Sequence, residues 1–334
     1  MKKVKLLINL PAGFFKTKKL EAAFERLEKL ACEIRKRSYN TLDEISEDIK
    51  WAEAIIMWSW PNLNDEILSK SPQLKFAGHI NVSRETAESE LKHGIVISEA
   101  RHGWSPAVAE MALGMILSVL RKISDYNAQM RISKEKWVMD FPFDIDPSER
   151  MLSGRNVGIV GFGRIGQRLA ELLKPFDVNI SVYDPYVPMN FAGKHKVFLV
   201  GIDELISENE IIVLCAANTA ETKNLISAKH ISNIKSGAVI VNVGRAWLID
   251  MNALISRLQK GDIYAALDVF DKEPLEHDSL LRSLPNAYLT PHRAGGLLES
   301  VEKIIGMLTD DLESYLKGKK LKFQLKKDDL HSIA

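Results

Sequence analysis

The chain has 334 residues, which at roughly 150 residues per domain predicts about two domains. Hydrophobic residues at 46% and charged residues at 27% exclude a disordered or fibrous chain. With 45 basic and 44 acidic side chains the net charge is +1, which excludes a global field for nucleic acid or an anionic membrane. Two distant cysteines, Cys32 and Cys215, exclude a disulfide scaffold and point to a reducing, cytoplasmic setting.

The first ten residues read as a β-strand rather than a signal peptide, because Lys5 and Asn9 interrupt the apolar run and Pro11 ends it. Strands are expected over 4–10, 54–58, 74–77 and 95–98, with helices over 18–30, 42–51 and 64–69 between them. Pro61 and Pro72 fall in the turns. This alternation predicts a parallel sheet covered by helices. Ser105 as N-cap and Pro106 at the first helical position then open a long helix over 107–122, apolar nearly all round and expected to be buried. Its uncharged core, 111–120, is about half of a membrane span. The stretch 124–150 is polar and irregular, readable as a surface loop or as an arm towards a second subunit.

A second strand–helix series follows, with strands expected over 156–160, 180–183, 211–215, 238–242, 265–269 and 288–290. Six strands are what a doubly wound dinucleotide fold needs. A last helix over 299–316 ends at Gly318, and a lysine-rich tail reads as a solvated end.

Gly161-Phe162-Gly163-Arg164-Ile165-Gly166 fits G-x-G-x-x-G between a strand and a helix, the context that gives the pattern meaning. Gly161 permits the tight turn, Gly163 admits a pyrophosphate to the backbone, and Gly166 lets the helix pack on the strand. Arg164 and Ile165 open the helix whose positive end faces that pyrophosphate. Asp184, ending the next strand, can accept both adenosine ribose hydroxyls and would repel a 2′-phosphate. Pro185-Tyr186 follows with no nearby arginine, so NAD is expected over NADP.

Three later strand ends carry Arg245, Glu273 and His292. A guanidinium fork can hold a carboxylate and polarise the carbonyl beside it. An imidazole can exchange a proton with that carbonyl oxygen, and a carboxylate on its other nitrogen fixes the tautomer. These are the groups needed to interconvert a 2-oxo and a 2-hydroxy acid. No His/Asp/Glu cluster has metal-site spacing.

The motifs GFGRIG, YDPY, VNVGRAWLID, LDVFDKEPL and TPHRAGG together resemble the NAD-dependent D-2-hydroxyacid dehydrogenases, which include phosphoglycerate dehydrogenases and glyoxylate/hydroxypyruvate reductases. The resemblance implies an α/β Rossmann NAD domain of doubly wound parallel sheet, residues 104–296, inserted into a flavodoxin-like α/β catalytic domain, residues 1–103 and 297–334. It implies hinges near 101–106 and 295–298. It makes Arg245 the carboxylate-binding arginine, His292 the acid/base and Glu273 its partner, acting on a short 2-oxo or D-2-hydroxy acid. It adds Ala216, Thr222, Val243 and Asp268 to the cofactor site, Asp268 meeting the nicotinamide amide, and implies a homodimer. Family members have a glycine-rich loop that binds the substrate carboxylate. Here the corresponding Gly78-His79-Ile80 carries one glycine, and His79 reads equally as a pocket residue or a surface turn. Trp247 is bulkier than is common after the arginine. The rival reading is an NAD-sensing scaffold of the corepressor type.

Overall fold

The computed structural model describes residues 3–333. The chain divides into two compact units, one running to Trp104 and resuming at Gly296, the other being Ser105–Gly295.

The first unit holds five parallel strands: β1 (Val4–Asn9), β2 (Ala31–Arg37), β3 (Ala54–Met57), β4 (Phe76–His79) and β5 (Val96–Glu99). Their order β2-β1-β3-β4-β5 is the flavodoxin-like arrangement, which reverses direction between β1 and β3. The runs LLI of β1 and AIIM of β3 are buried on both faces, as central parallel strands must be. The expected helix over 18–30 is a short 3-10 turn, Lys18–Leu20, followed by the helix Glu21–Glu28. Two elements carry no apolar signal in the sequence. Strand β2 (ACEIRKR) lies at the sheet edge, where charged side chains blunt further pairing. The charged helix Arg84–Lys92 buries only Thr86, Ala87 and Glu90.

The tail is a correction. Instead of a solvated end, Glu99 N–H donates to Phe323 O and Leu325 N–H to Ile97 O, laying the tail antiparallel along β5. Buried Asp311 anchors it, accepting from the N–H groups of Lys322 and Phe323 and from Ser98 Oγ at 2.8–2.9 Å. Leu321, Leu325 and Leu330 are buried while Lys320, Lys322, Lys326 and Lys327 face water. Lysine content hid a leucine pattern.

The second unit holds seven parallel strands: β6 (Asn156–Val160), β7 (Asn179–Tyr183), β8 (Phe198–Leu199), β9 (Ile211–Leu214), β10 (Val239–Asn242), β11 (Tyr264–Leu267) and β12 (Ala287–Leu289). Their order β12-β11-β10-β9-β6-β7-β8 is the doubly wound dinucleotide arrangement, with its switch point between β6 and β9. The expected six strands missed β8, two residues at the edge, too short for any periodicity.

The helix Ser105–Leu120 packs on the helix Arg164–Leu173 and on β10. With the preceding turn, Arg101–Leu120 is long and apolar enough to cross a bilayer, yet over half of that window is buried inside the protein. The stretch after it is less irregular than expected. It forms the helix Ile123–Arg131, and Tyr126 donates to Glu149 at 2.6 Å while Lys122 pairs with Asp146 at 2.7 Å. The bonds from Lys122 and Ser148 hold the Asp146 carboxyl down at about 2.

Candidate active site

Strand β6 ends directly in the glycine turn. Gly161 has φ +90°, and a Cβ there would stand 2.5 Å from the backbone N and Cα of Ala216, which follows β9. Only glycine fits that approach. The contact therefore closes the switch point between the two strands. A Cβ on Gly166 would lie 2.4 Å from Gly161 O, so this glycine sets how closely the helix Arg164–Leu173 meets the turn. Gly163, the N-cap, has nothing within 4 Å of its Cβ direction. Space beside the exposed N-terminal turn of a helix suits an anionic phosphate. Arg164 is exposed at that turn and Ile165 half-buried behind it.

Asp184 follows β7, its carboxylate fixed by two backbone donors: Phe162 N–H to Oδ2 at 2.7 Å and Tyr186 N–H to Oδ1 at 3.0 Å. Two oxygens accept about four hydrogen bonds, so lone pairs remain for a ribose diol. Glycine turn, open N-terminus and anchored carboxylate thus fit a dinucleotide. The hydroxyl of Thr222 is engaged within its own turn, donating to Ala217 O at 2.7 Å and accepting from Thr219 N–H at 2.9 Å.

The catalytic candidates come from the ends of β10, β11 and β12. After β10, buried Asn242 clamps the turn that presents Arg245: its Oδ1 accepts from Gly244 N–H at 3.1 Å and its Nδ2 donates to Arg245 O at 3.0 Å. Val243 inside the clamp is buried, and the Arg245 side chain is exposed with Nη1 donating to Gly244 O at 2.8 Å. Asn242 was not singled out in the sequence; an amide closing the apolar run VIVN is the available signal.

His292 and Glu273 meet. His292 Nδ1 lies 2.6 Å from Glu273 Oε2, while Glu273 Oε1 accepts from Phe270 N–H at 3.0 Å. Partial burial pushes the Glu273 carboxyl up. The bonds from His292 and Phe270 and the charges of His292 and Arg245 outweigh it and hold the group below the ordinary glutamate value. Glu273 is therefore the acceptor, Nδ1 carries the proton, and Nε2 is left for exchange.

His292 has φ +50°, a left-handed conformation costing about 1 kcal/mol or more for a non-glycine residue. Asp268 supplies the compensation. Fully buried after β11, it accepts from Thr290 Oγ1 at 2.6 Å, Arg293 N–H at 2.8 Å and Ala294 N–H at 2.8 Å. Beside its expected place at the nicotinamide, Asp268 therefore has a second role. Both Asp268 oxygens are turned to the loop that carries His292.

The expected substrate-loop residues lie at the end of β4. Gly78 is buried in β4, where a Cβ would come 2.5 Å from Ile56 Cδ1, and Ile80 is buried in the core of the first unit. His79 is neither a pocket residue nor a surface turn. Its Nε2 sits 2.9 and 3.0 Å from the two oxygens of Glu90, with both side chains out of water. A buried imidazole needs a hydrogen-bonded partner, and the helix Arg84–Lys92 provides one.

Residues 113–294 match the family model described as D-isomer specific 2-hydroxyacid dehydrogenase, NAD binding domain. The chain is similar to a D-3-phosphoglycerate dehydrogenase of Methanocaldococcus jannaschii, 32% identical over 320 residues, which are 94% of this chain and 58% of the relative. It spans about half the length of the several D-3-phosphoglycerate dehydrogenases it matches. A Bacillus subtilis protein bearing a provisional 2-hydroxyacid dehydrogenase name is 30% identical, with 96% of this chain and 93% of the relative covered. Among solved structures, a Pyrococcus horikoshii protein superposes with a TM-score of 0.82 at 26% identity, covering 99% of this chain and 97% of that one.

Proposed function

The chain belongs to the D-isomer specific 2-hydroxyacid dehydrogenase family, and from that membership we propose that it interconverts a small D-2-hydroxy acid and its 2-oxo acid with NAD. The observation that carries the reading is the His292–Glu273 bond of 2.6 Å, beside an Arg245 whose charge acts on the same carboxylate.

In this reading Arg245 binds the acid's carboxylate through its planar fork and draws electron density from the neighbouring carbonyl oxygen. His292 Nε2 gives that oxygen its proton during reduction and takes it back during oxidation. Glu273 keeps Nδ1–H oriented. The nicotinamide cofactor, when bound, supplies the hydride or accepts it. Gly161, Gly163 and Gly166 would seat the pyrophosphate, and Asp184 would select NAD by accepting ribose hydroxyls and repelling a 2′-phosphate.

The reading includes a cytoplasmic homodimer. Trp137, Val138, Met139, Phe141 and Phe143 of the second unit form an exposed apolar run that a second copy would cover. Both cysteines are free thiols, and burial pushes the Cys215 thiol up to about 12.

The test is NADH oxidation with a panel of 2-oxo acids from glyoxylate to bulkier ones. Saturable turnover on at least one is expected. No turnover on any, with NADH still bound, would overturn the enzyme reading in favour of a cofactor-sensing scaffold. In the same assay Asp184→Ala should lower the NADH over NADPH preference in kcat/KM at least tenfold; an unchanged ratio would remove Asp184 from cofactor choice.

A further inference from the structure

Strands β9 and β10 are paired, so the loops that leave their carboxyl ends are neighbours too. The loop after β9 carries Ala216, whose backbone closes on Gly161, and then a 3-10 turn, Ala220–Thr222. The loop after β10 presents Arg245 and continues in a second 3-10 turn, Ala246–Leu248. All of these residues belong to the second unit.

Trp247 joins the two loops. Its indole Nε1–H donates to Thr219 O at 3.2 Å, and the Lys223 ammonium stands 4.7 Å from the centroid of its ring. One side chain thus grips the turn Ala220–Thr222 from both flanks. The main chain adds to the tie, Trp247 O accepting from Asn224 N–H at 2.8 Å and Leu248 O from Ile226 N–H at 2.9 Å. Because Thr222 closes its turn on itself, a hold at Thr219 and Lys223 reaches the whole of that turn. Tryptophan suits the task, since it combines a donor nitrogen with a broad ring face, and each serves a different partner here. Trp247 keeps 41% of its surface exposed, so packing into the core does not account for its size.

The consequence falls on Arg245. Asn242 holds its turn from the strand side, while Trp247, two residues beyond the arginine, holds it from the loop side. Arg245 O also accepts from Leu248 N–H at 3.2 Å, so a shift of the turn Ala246–Leu248 is passed to the arginine backbone. For a group that orients a substrate, a misplacement of about 1 Å is enough to matter.

We propose that Trp247 is a positioning residue: by fastening the turn at 219–223 to the turn that presents Arg245, it sets where the guanidinium meets the acid's carboxylate. The proposal rests on the dehydrogenase reading above and deepens it, giving a role to a residue outside the Arg245, Glu273 and His292 set.

The experiment measures KM and kcat, at saturating NADH, for the best 2-oxo acid of the panel. It compares the parent with Trp247→Ala, Trp247→Phe, Lys223→Ala and the combined Trp247→Ala, Lys223→Ala protein. A hydrogen bond changes an equilibrium about two- to tenfold and an exposed cation–π contact about two- to fivefold. Trp247→Ala should therefore raise KM about tenfold, with kcat changed less than about threefold. Trp247→Phe keeps the ring over Lys223 and loses the N–H, so its KM should fall between parent and alanine. Lys223→Ala should raise KM about threefold, and in the combined protein it should add nothing, because its partner is gone. Calorimetric binding of oxamate, a carboxylate that NADH does not reduce, to the NADH-loaded protein should weaken in the same order. Both side chains are exposed, so the thermal midpoints of the variants should match the parent. A KM unmoved by Trp247→Ala would overturn the proposal and leave the dehydrogenase reading intact. So would a midpoint that falls in step with KM, which would make the role structural, or a further rise in the combined protein, which would put Lys223 on the acid itself. No turnover on any acid, with NADH still bound, would overturn both.

Discussion

His292→Asn should lower kcat by about 10²–10⁴, equivalent to roughly 3–5 kcal/mol of barrier, while leaving the NADH dissociation constant within about threefold of the parent. In the proposed reaction the residue contributes a transferable proton at Nε2, and an amide cannot donate and recover one at neutral pH. Asparagine is also tolerated in the left-handed region, so the backbone at φ +50° survives the change. Stopped-flow NADH binding alongside steady-state turnover separates the two effects. A variant with full turnover would remove His292 from the chemistry. A variant that has lost NADH binding would mean the loop, not the proton, was disturbed. Because Glu273 is held below the ordinary glutamate value, its carboxylate should stay charged as pH falls through that value. Loss of activity from protonating Glu273 should therefore appear only at lower pH.

Asp268→Asn should destabilise the protein by roughly 3 kcal/mol and lower kcat about a hundredfold. Its carboxylate accepts from three donors in the His292 loop, at 2.6, 2.8 and 2.8 Å, with no water to replace it. An amide keeps one acceptor atom and turns a donor towards the remaining N–H. One buried donor then lacks a partner, at about 1–3 kcal/mol, and the charge assistance at the others is lost. Without those anchors the left-handed conformation of His292 has less to sustain it, so the ring leaves Glu273. Asp268→Asn thus differs from His292→Asn in losing both stability and turnover. Equilibrium denaturation with urea and kcat on the same preparation test this. Unchanged stability would show that the three bonds contribute little, and unchanged kcat would show that His292 is positioned by something else.

The cofactor half was the more legible in the sequence. A glycine turn announces itself because its residues satisfy local demands: Gly161 must take φ +90° and Gly166 must lack a Cβ, whatever the rest of the chain does. Central strands such as β3 and β9 were legible for a similar reason, since burial on both faces requires a continuous apolar run. Edge elements were not. Strand β2, strand β8 and the tail along β5 are each polar on an open side, so apolar periodicity is weak or absent.

Roles of polar residues divided along the same line. Residue type and position at strand ends singled out Arg245, Glu273 and His292 as candidates, and the structure brings His292 and Glu273 into contact. Apart from Glu273 with His292, which the family resemblance implied, which polar group meets which could not be read, because partners lie apart in the chain: Asp268 with the loop at 290–294, His79 with Glu90, Asn9 with Trp60.

About two domains follows from length alone, and the chemical type of the site follows from short motifs obeying local steric and acid–base rules. Only the tertiary structure decided that Asp268 anchors the loop carrying His292 and that the tail pairs with β5. Those outcomes depend on burial and on contacts across many residues. A buried polar group must find a partner wherever the fold brings one, and no local pattern encodes which one it will be.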